Sequence, residues 1–216
     1  MKRRDFSVAC GSVLAASALF SPLAQAQAKK PEEGSEYLVL DKRAPVEAAA
    51  GRIEVVEFFW YSCPHCNAFE PTLDAWVKAL PKDVSFRRVP VAFRDDFVPQ
   101  QRLFYALEAM DLVDKLQTKV FHAIHVERQR LDQPQAIIDW VAKQGVDKTK
   151  FTEHFSSFSV ASKATRGTQL QNAYKVEGVP SIGIAGRFYT DGSIARSMDR
   201  VLQVTDYLVG QVRLKR

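Results

Sequence analysis

The run Ile53–Tyr61, IEVVEFFWY, is so dense in β-branched and aromatic residues that neither face of it can be left in water. It predicts a strand in the middle of a sheet that is covered on both sides. The next residues are Ser62-Cys63-Pro64-His65-Cys66. A proline is at home in the first turn of a helix, where its missing N–H costs nothing, so the strand must hand over to a helix at once. Any fold for this chain has to place two cysteines at the junction of a buried strand and a helix N-terminus.

That placement has chemical consequences. The thiolate, not the thiol, carries out disulfide exchange, and its surroundings decide how much thiolate there is. With Pro64 at the first helical position, Cys63 is the N-cap, and its sulfur faces the free N–H groups of His65 and Cys66 at the positive end of the helix dipole. His65, part-protonated near neutral pH, adds a positive or donating group. These groups lower the Cys63 pKa, and Cys66, one turn in, suits the resolving thiol. Stabilising the thiolate stabilises the reduced protein, which makes the disulfide the stronger oxidant. Two other uses of the pair fit poorly. A structural disulfide across two residues closes too small a loop to staple much of the unfolded chain. A zinc site needs two further ligands, and His122, His125 and His154 lack the usual ligand spacing. His122 and His125 are expected at the surface or an interface.

The compartment fits this chemistry. MKRRDF followed by SVACGSVLAASALF and SPLAQAQA has the layout of a bacterial export signal, with cleavage expected after Ala26 or Ala28. The Arg3-Arg4 start leaves open whether the general or the twin-arginine route is used. Cleavage of residues 1–28 removes Cys10 and leaves Cys63 and Cys66 as the only thiols. It also removes Lys2, Arg3 and Arg4 against Asp5, so the +5 chain becomes +3. That balance, with no basic run interleaved with aromatics, gives no sign of a nucleic-acid partner.

Along the rest of the chain, a short strand is expected at Tyr37–Leu40, a helix from Pro64 to about Leu80 kinked at Pro71, and a strand over Val84–Val91. From about Phe97 to Val160 the apolar spacing becomes helical, broken at Asp132-Gln133-Pro134 and Gly145. A helix over Arg166–Tyr174, a hairpin of Ser181–Ala185 with Phe188–Thr190, and an amphipathic helix over Asp199–Leu214 follow. This order is an α/β fold, a thioredoxin-like mixed sheet with an inserted helical domain. Residues 29–96 and 164–216 make the thioredoxin-like part and 97–163 the insertion.

Three landmarks in this order, the block EFFxxxCPHCxxFE at 57–70, the helical insertion, and Gly178-Val179-Pro180 before a small apolar hairpin, resemble the DsbA family of periplasmic thiol:disulfide oxidoreductases. The resemblance covers essentially the whole of 29–216. It implies a dithiol oxidase that donates its Cys63–Cys66 disulfide to reduced, unfolded exported proteins through a mixed disulfide. It also implies a DsbB-like quinone-linked membrane oxidase as the partner that re-oxidises it, a monomer, and no cofactor or metal. By the same resemblance Pro180 is a cis-proline opposite the cysteines, and the backbone of Val179 pairs with substrate as an added strand. Glu57 would be a buried acid beneath the thiols, relaying the proton of Cys66; from the residues alone, an edge residue reaching solvent is the alternative. Where the family usually pairs this acid with lysine, the chain has Arg88, which cannot deprotonate and is expected to hold Glu57 ionised. Phe59, Trp60 and Phe93 are core residues or the walls of a greasy groove. A disulfide isomerase or reductase, and a non-catalytic holdase, are the rival functions.

Overall fold

The computed structural model describes residues 29–215. The expected export leader and Cys10 lie outside the described residues. The strands are β1 (Leu38–Val39), β2 (Ile53–Phe59), β3 (Val84–Pro90), β4 (Ser181–Ile184) and β5 (Phe188–Asp191). The helices are α1 (Pro64–Lys78), α2 (Val98–Ala109), α3 (Val113–His125), α4 (Pro134–Lys143), α5 (Lys148–Ser156), α6 (Phe158–Ala173) and α7 (Met198–Leu214). The sheet order is β1-β5-β4-β2-β3, with β2 parallel to β3 and the other pairings antiparallel. Every residue of β2 is buried, as its composition requires.

Alternate residues of β2 enter different cores. Ile53 and Val55 pack with Val201, Val204 and Leu208 of α7, while Val56 and Phe58 pack with Leu170 and Tyr174 around α6. Phe59 and the following Tyr61 join Leu103, Phe104, Leu116 and Phe121 of the helical block. Burial of each such side chain contributes about 1.5–3 kcal/mol relative to exposure. The strand is therefore clamped on both faces and at its C-terminal end, where Cys63 follows.

Helix α1 begins at Pro64 as expected and continues through Pro71. Helix α6 differs more. Its expected start was Arg166, yet Ser157 caps Val160 N–H at 3.2 Å and one uninterrupted helix crosses the expected 163/164 boundary. Small residues on its inner face allow this: at Gly167 an added Cβ would meet the Tyr105 hydroxyl at 2.6 Å.

The β4–β5 turn depends on a side chain from the end of α6. Gly186, at φ +65°, donates its buried N–H to Tyr174 Oη at 2.9 Å, and the Tyr174 ring packs edge-on against Phe58 with centroids 5.2 Å apart. Replacing Tyr174 by Phe keeps the ring but strands that N–H. Unfolding by urea should show a loss of about 1–3 kcal/mol, whereas an unchanged midpoint would mean that water reaches Gly186.

Candidate active site

The strand-to-helix junction places Cys63 at the N-cap of α1 with extended φ/ψ (−81°, 118°) and Pro64 at the first helical position. Cys63 is 7% exposed and Cys66 fully buried, both as free thiols, while Pro64 and His65 lie at the surface. The Cys63 pKa falls from near 9 to about 6. The thiol of Cys66, donating to the Cys63 sulfur, is the largest cause. Burial works against it, and the N–H groups of Cys66 and His65 and the charge of His65 add to it. The sequence-based reading rested on the helix end and His65; it missed that the partner thiol is the main donor. Cys66 moves the opposite way. Burial, the bond it gives to Cys63 and the nearby charge of Glu57 push its pKa far up.

The Val179–Pro180 peptide is cis, and the Val179 carbonyl accepts from Cys63 Sγ at 3.4 Å. Beside it, His65, Val179, Pro180, Ser197 and Met198 are among the residues lining a groove of about 390 Å³. The aromatic candidates lie elsewhere. Phe59 is wholly buried, and Trp60 stacks on Phe97 with centroids 4.1 Å apart. Phe93, 38% exposed, meets the edge of the same Phe97.

Glu57 is 1% exposed and sits on a strand with neighbours on both sides, which rules out the solvent-reaching alternative. It pairs in register with Arg88 of β3, whose Nε lies 3.1 Å from Glu57 Oε2. Arg88 does not serve Glu57 alone. Its Nη2 donates to Glu70 Oε1 at 2.9 Å, so two carboxylates share one guanidinium. The expectation that Arg88 keeps Glu57 ionised is therefore corrected: burial, reinforced by the charge of Glu70, outweighs Arg88 and raises the Glu57 pKa from 4.5 to about 8. Glu70 stood in the quoted block at 57–70 but was given no role; its i+4 spacing from Cys66 on α1 was the available signal.

Three residues of the helical block hold the loop before Cys63. Gln100 of α2 donates to Ser62 Oγ at 2.7 Å and accepts from Ser62 N–H at 3.2 Å. His125 Nε2 lies 2.8 Å from the Tyr61 carbonyl, and Tyr61 Oη donates to Gln117 Oε1 at 2.6 Å. His125, half-buried, is thus part of the active-site loop's support, whereas His122 is exposed and faces Glu127 at 3.2 Å. No local pattern marks Gln100 or Gln117.

Comparison with known proteins agrees with this geometry. The model of the DSBA-like thioredoxin domain matches residues 54–204. The thiol:disulfide interchange protein DsbA of Burkholderia cepacia is 43% identical over 205 residues, covering 95% of this chain and 97% of that protein. The protein of the same name from Azotobacter vinelandii is 40% identical, covering 94% and 96%. The crystal structure of Pseudomonas aeruginosa DsbA superposes with a TM-score of 0.82 at 38% identity, over 86% of this chain and 96% of that one. That of DsbA from Xylella fastidiosa gives 0.80 at 30% identity, over 86% and 99%. With Cys63 capping α1, the Val179 carbonyl against its sulfur and these likenesses running through nearly the whole length, the chain belongs to the DsbA-like thioredoxin family.

Proposed function

We propose that this chain is an exported thiol:disulfide oxidoreductase that works in the periplasm as a monomer and donates the Cys63–Cys66 disulfide to newly translocated proteins. The observation that carries the direction is the opposed pair of thiol shifts, Cys63 down to about 6 and Cys66 far up. A substrate thiolate attacks Cys63, the Cys63–Cys66 bond breaks, and Cys66 leaves. A second substrate thiolate then attacks the mixed disulfide, and Cys63 departs as a thiolate that is stable at neutral pH. Cys63 keeps a little exposure and lies against the carbonyl of the groove residue Val179, and Cys66 is shut in behind it. Val179 and Pro180 line the groove, which fits main-chain pairing with an extended client. The helical block, residues 97–163, acts as the clamp on the Tyr61-Ser62 loop. Re-oxidation by a DsbB-like quinone-linked membrane oxidase completes the cycle.

Three measurements test this reading. In oxidative refolding of a reduced client, the oxidised protein should transfer its disulfide stoichiometrically and Cys63→Ser should transfer none. Retained transfer by that variant would refute the catalytic assignment, and a potential against glutathione as low as that of thioredoxin would favour the reductase or isomerase.

The third concerns pH. The folded Cys63 pKa lies below its unfolded value near 9, so the thiolate contributes stability to the reduced protein that is complete above pH 9 and lost as pH falls through about 6. The disulfide form has no such contribution. Unfolding free energies of the two forms should therefore diverge in favour of the reduced protein between pH 6 and 9, reaching about 1 kcal/mol from this source by pH 7. A pH-independent gap would show that Cys63 titrates normally.

A further inference from the structure

Among the described residues, six buried side-chain nitrogen or oxygen atoms lack a hydrogen bond, and four of them, Glu57 Oε2, Glu70 Oε2, Arg88 Nε and Gln117 Nε2, belong to one cluster beneath the thiols. Two carboxylates facing one guanidinium leave an unbalanced negative charge if both ionise, so a buried group of this kind retains one proton near neutral pH. Which carboxylate holds it decides what the cluster can do for Cys66.

Burial raises the Glu70 pKa as well as that of Glu57, and three observations favour Glu70 over Glu57 as the ionised member. Arg88 Nη2 meets Glu70 Oε1 with hydrogen-bond geometry at 2.9 Å, whereas Arg88 Nε approaches Glu57 at 3.1 Å off the donor direction. Glu70 also lines a cleft of about 320 Å³ with Asn67, Asp74 and Thr118, while Glu57 lines none of the clefts described. The third is the amide of Gln117. Its oxygen accepts the Tyr61 hydroxyl at 2.6 Å, which leaves its NH₂, without a hydrogen bond of its own, as the donor that lowers the Glu70 pKa, and a donor there selects the carboxylate over the acid. A Gln117 turned the other way would present its oxygen to Glu70 and reward protonation.

We propose that Tyr61 and Gln117 are positioning residues that keep Glu70 ionised and so place the shared proton on Glu57, where it serves as the acid for Cys66. This rests on the oxidase reading above. When a substrate thiolate attacks Cys63, the Cys63–Cys66 bond breaks and the electron pair stays on Cys66. Glu57 gives its proton to that thiolate and becomes the carboxylate facing Arg88. The cluster recovers a proton from water, which has taken one from the attacking thiol. A protonated Cys66 cannot attack the mixed disulfide, so the step is held forward.

The groups that bear on these two titrations, besides the two carboxyls themselves, are Cys66 and Asp74 from α1, Arg88 from β3, Tyr61 from the loop and Gln117 from α3. Carboxyl-carbon NMR of the reduced protein, residues 29–216, with Glu57→Gln and Glu70→Gln for assignment, reads both midpoints directly. In the native protein Glu57 should titrate near 8 and above Glu70; the reverse order would overturn the proposal without any variant having to fold. In Tyr61→Phe, which frees the Gln117 amide to turn, the Glu57 midpoint should fall by about one unit, a tenfold change in its proton affinity. Gln117→Met should act in the same direction. The alkaline limb of mixed-disulfide formation with a reduced peptide should move down with it. Unchanged carboxyl midpoints in both variants would refute the positioning role. If the carboxyls behave as stated but no disulfide is transferred, the oxidase reading fails and the proton assignment stands.

Discussion

The fixed point of this molecule is β2. Val55 belongs to the core under α7, Val56 and Phe58 to the core around α6, and Phe59 to the helical block, so no residue of the strand can shift without disturbing packing on two sides. Interiors packed this tightly answer to displacements of a methylene or less. The strand's end is therefore a rigid mount. Gln100, Gln117 and His125 extend it through Tyr61 and Ser62, and Cys63 is held at the start of α1 opposite the Val179 carbonyl before any substrate arrives. The helical block is to this extent part of the active site, and Cys63 and Cys66 share one core with its Leu103, Phe104 and Phe121.

Burying Glu57, Glu70 and Arg88 together costs desolvation that their mutual attraction only partly repays, and an apolar trio of the same volume would serve stability as well or better. Their value lies in the proton they hold. A single acid with a single guanidinium would sit ionised and could only accept. A second acid on the same guanidinium makes the charge count uneven and keeps a proton available next to Cys66, a group whose own burial makes its thiolate a poor resting state. Arginine suits this arrangement better than lysine because its fork reaches both carboxylates at once.

Much of this was legible in the sequence, and the parts that were not share a cause. The N-cap position of Cys63 follows from Pro64, the buried central strand from IEVVEFFWY, and the mixed sheet with its insertion from the order of periods; all are local patterns. Val179 and Pro180 were placed by resemblance. Glu70, Gln117 and Gln100 were missed because a polar residue on a helix reads as solvent-facing until the opposite wall is known, and for Gln100 and Gln117 that wall lies 38 and 56 residues away in sequence. The role of His125 in holding Tyr61 was hidden for the same reason. Arg88 was found, but its effect was misjudged: a pairwise reading gave it one carboxylate, and the fold gives it two. The groove was sought among aromatics, of which Phe59 and Trp60 are packed into the cores and Phe93 lies exposed against Phe97, away from the groove's lining. It is walled instead by His65, the Val179–Pro180 corner and Met198.

The two thiols are opposite ends of one hydrogen bond, and that symmetry explains the direction of the chemistry. The Cys66 S–H is the largest cause lowering Cys63 and, seen from the other side, the second largest raising Cys66. A bond that exists only when the pair is reduced is free energy that the disulfide lacks, so it weights the equilibrium toward the dithiol whatever the helix and His65 add. Burial then decides which sulfur bears the charge: Cys66 is sealed, while Cys63 keeps a little exposure and lies against the carbonyl of the groove residue Val179. The negative charge left by oxidising a client thus appears on the sulfur that faces outward, where the next partner must attack. A site that reversed the burial of its two thiols could form the same disulfide, but it would leave the thiolate where no partner can reach it.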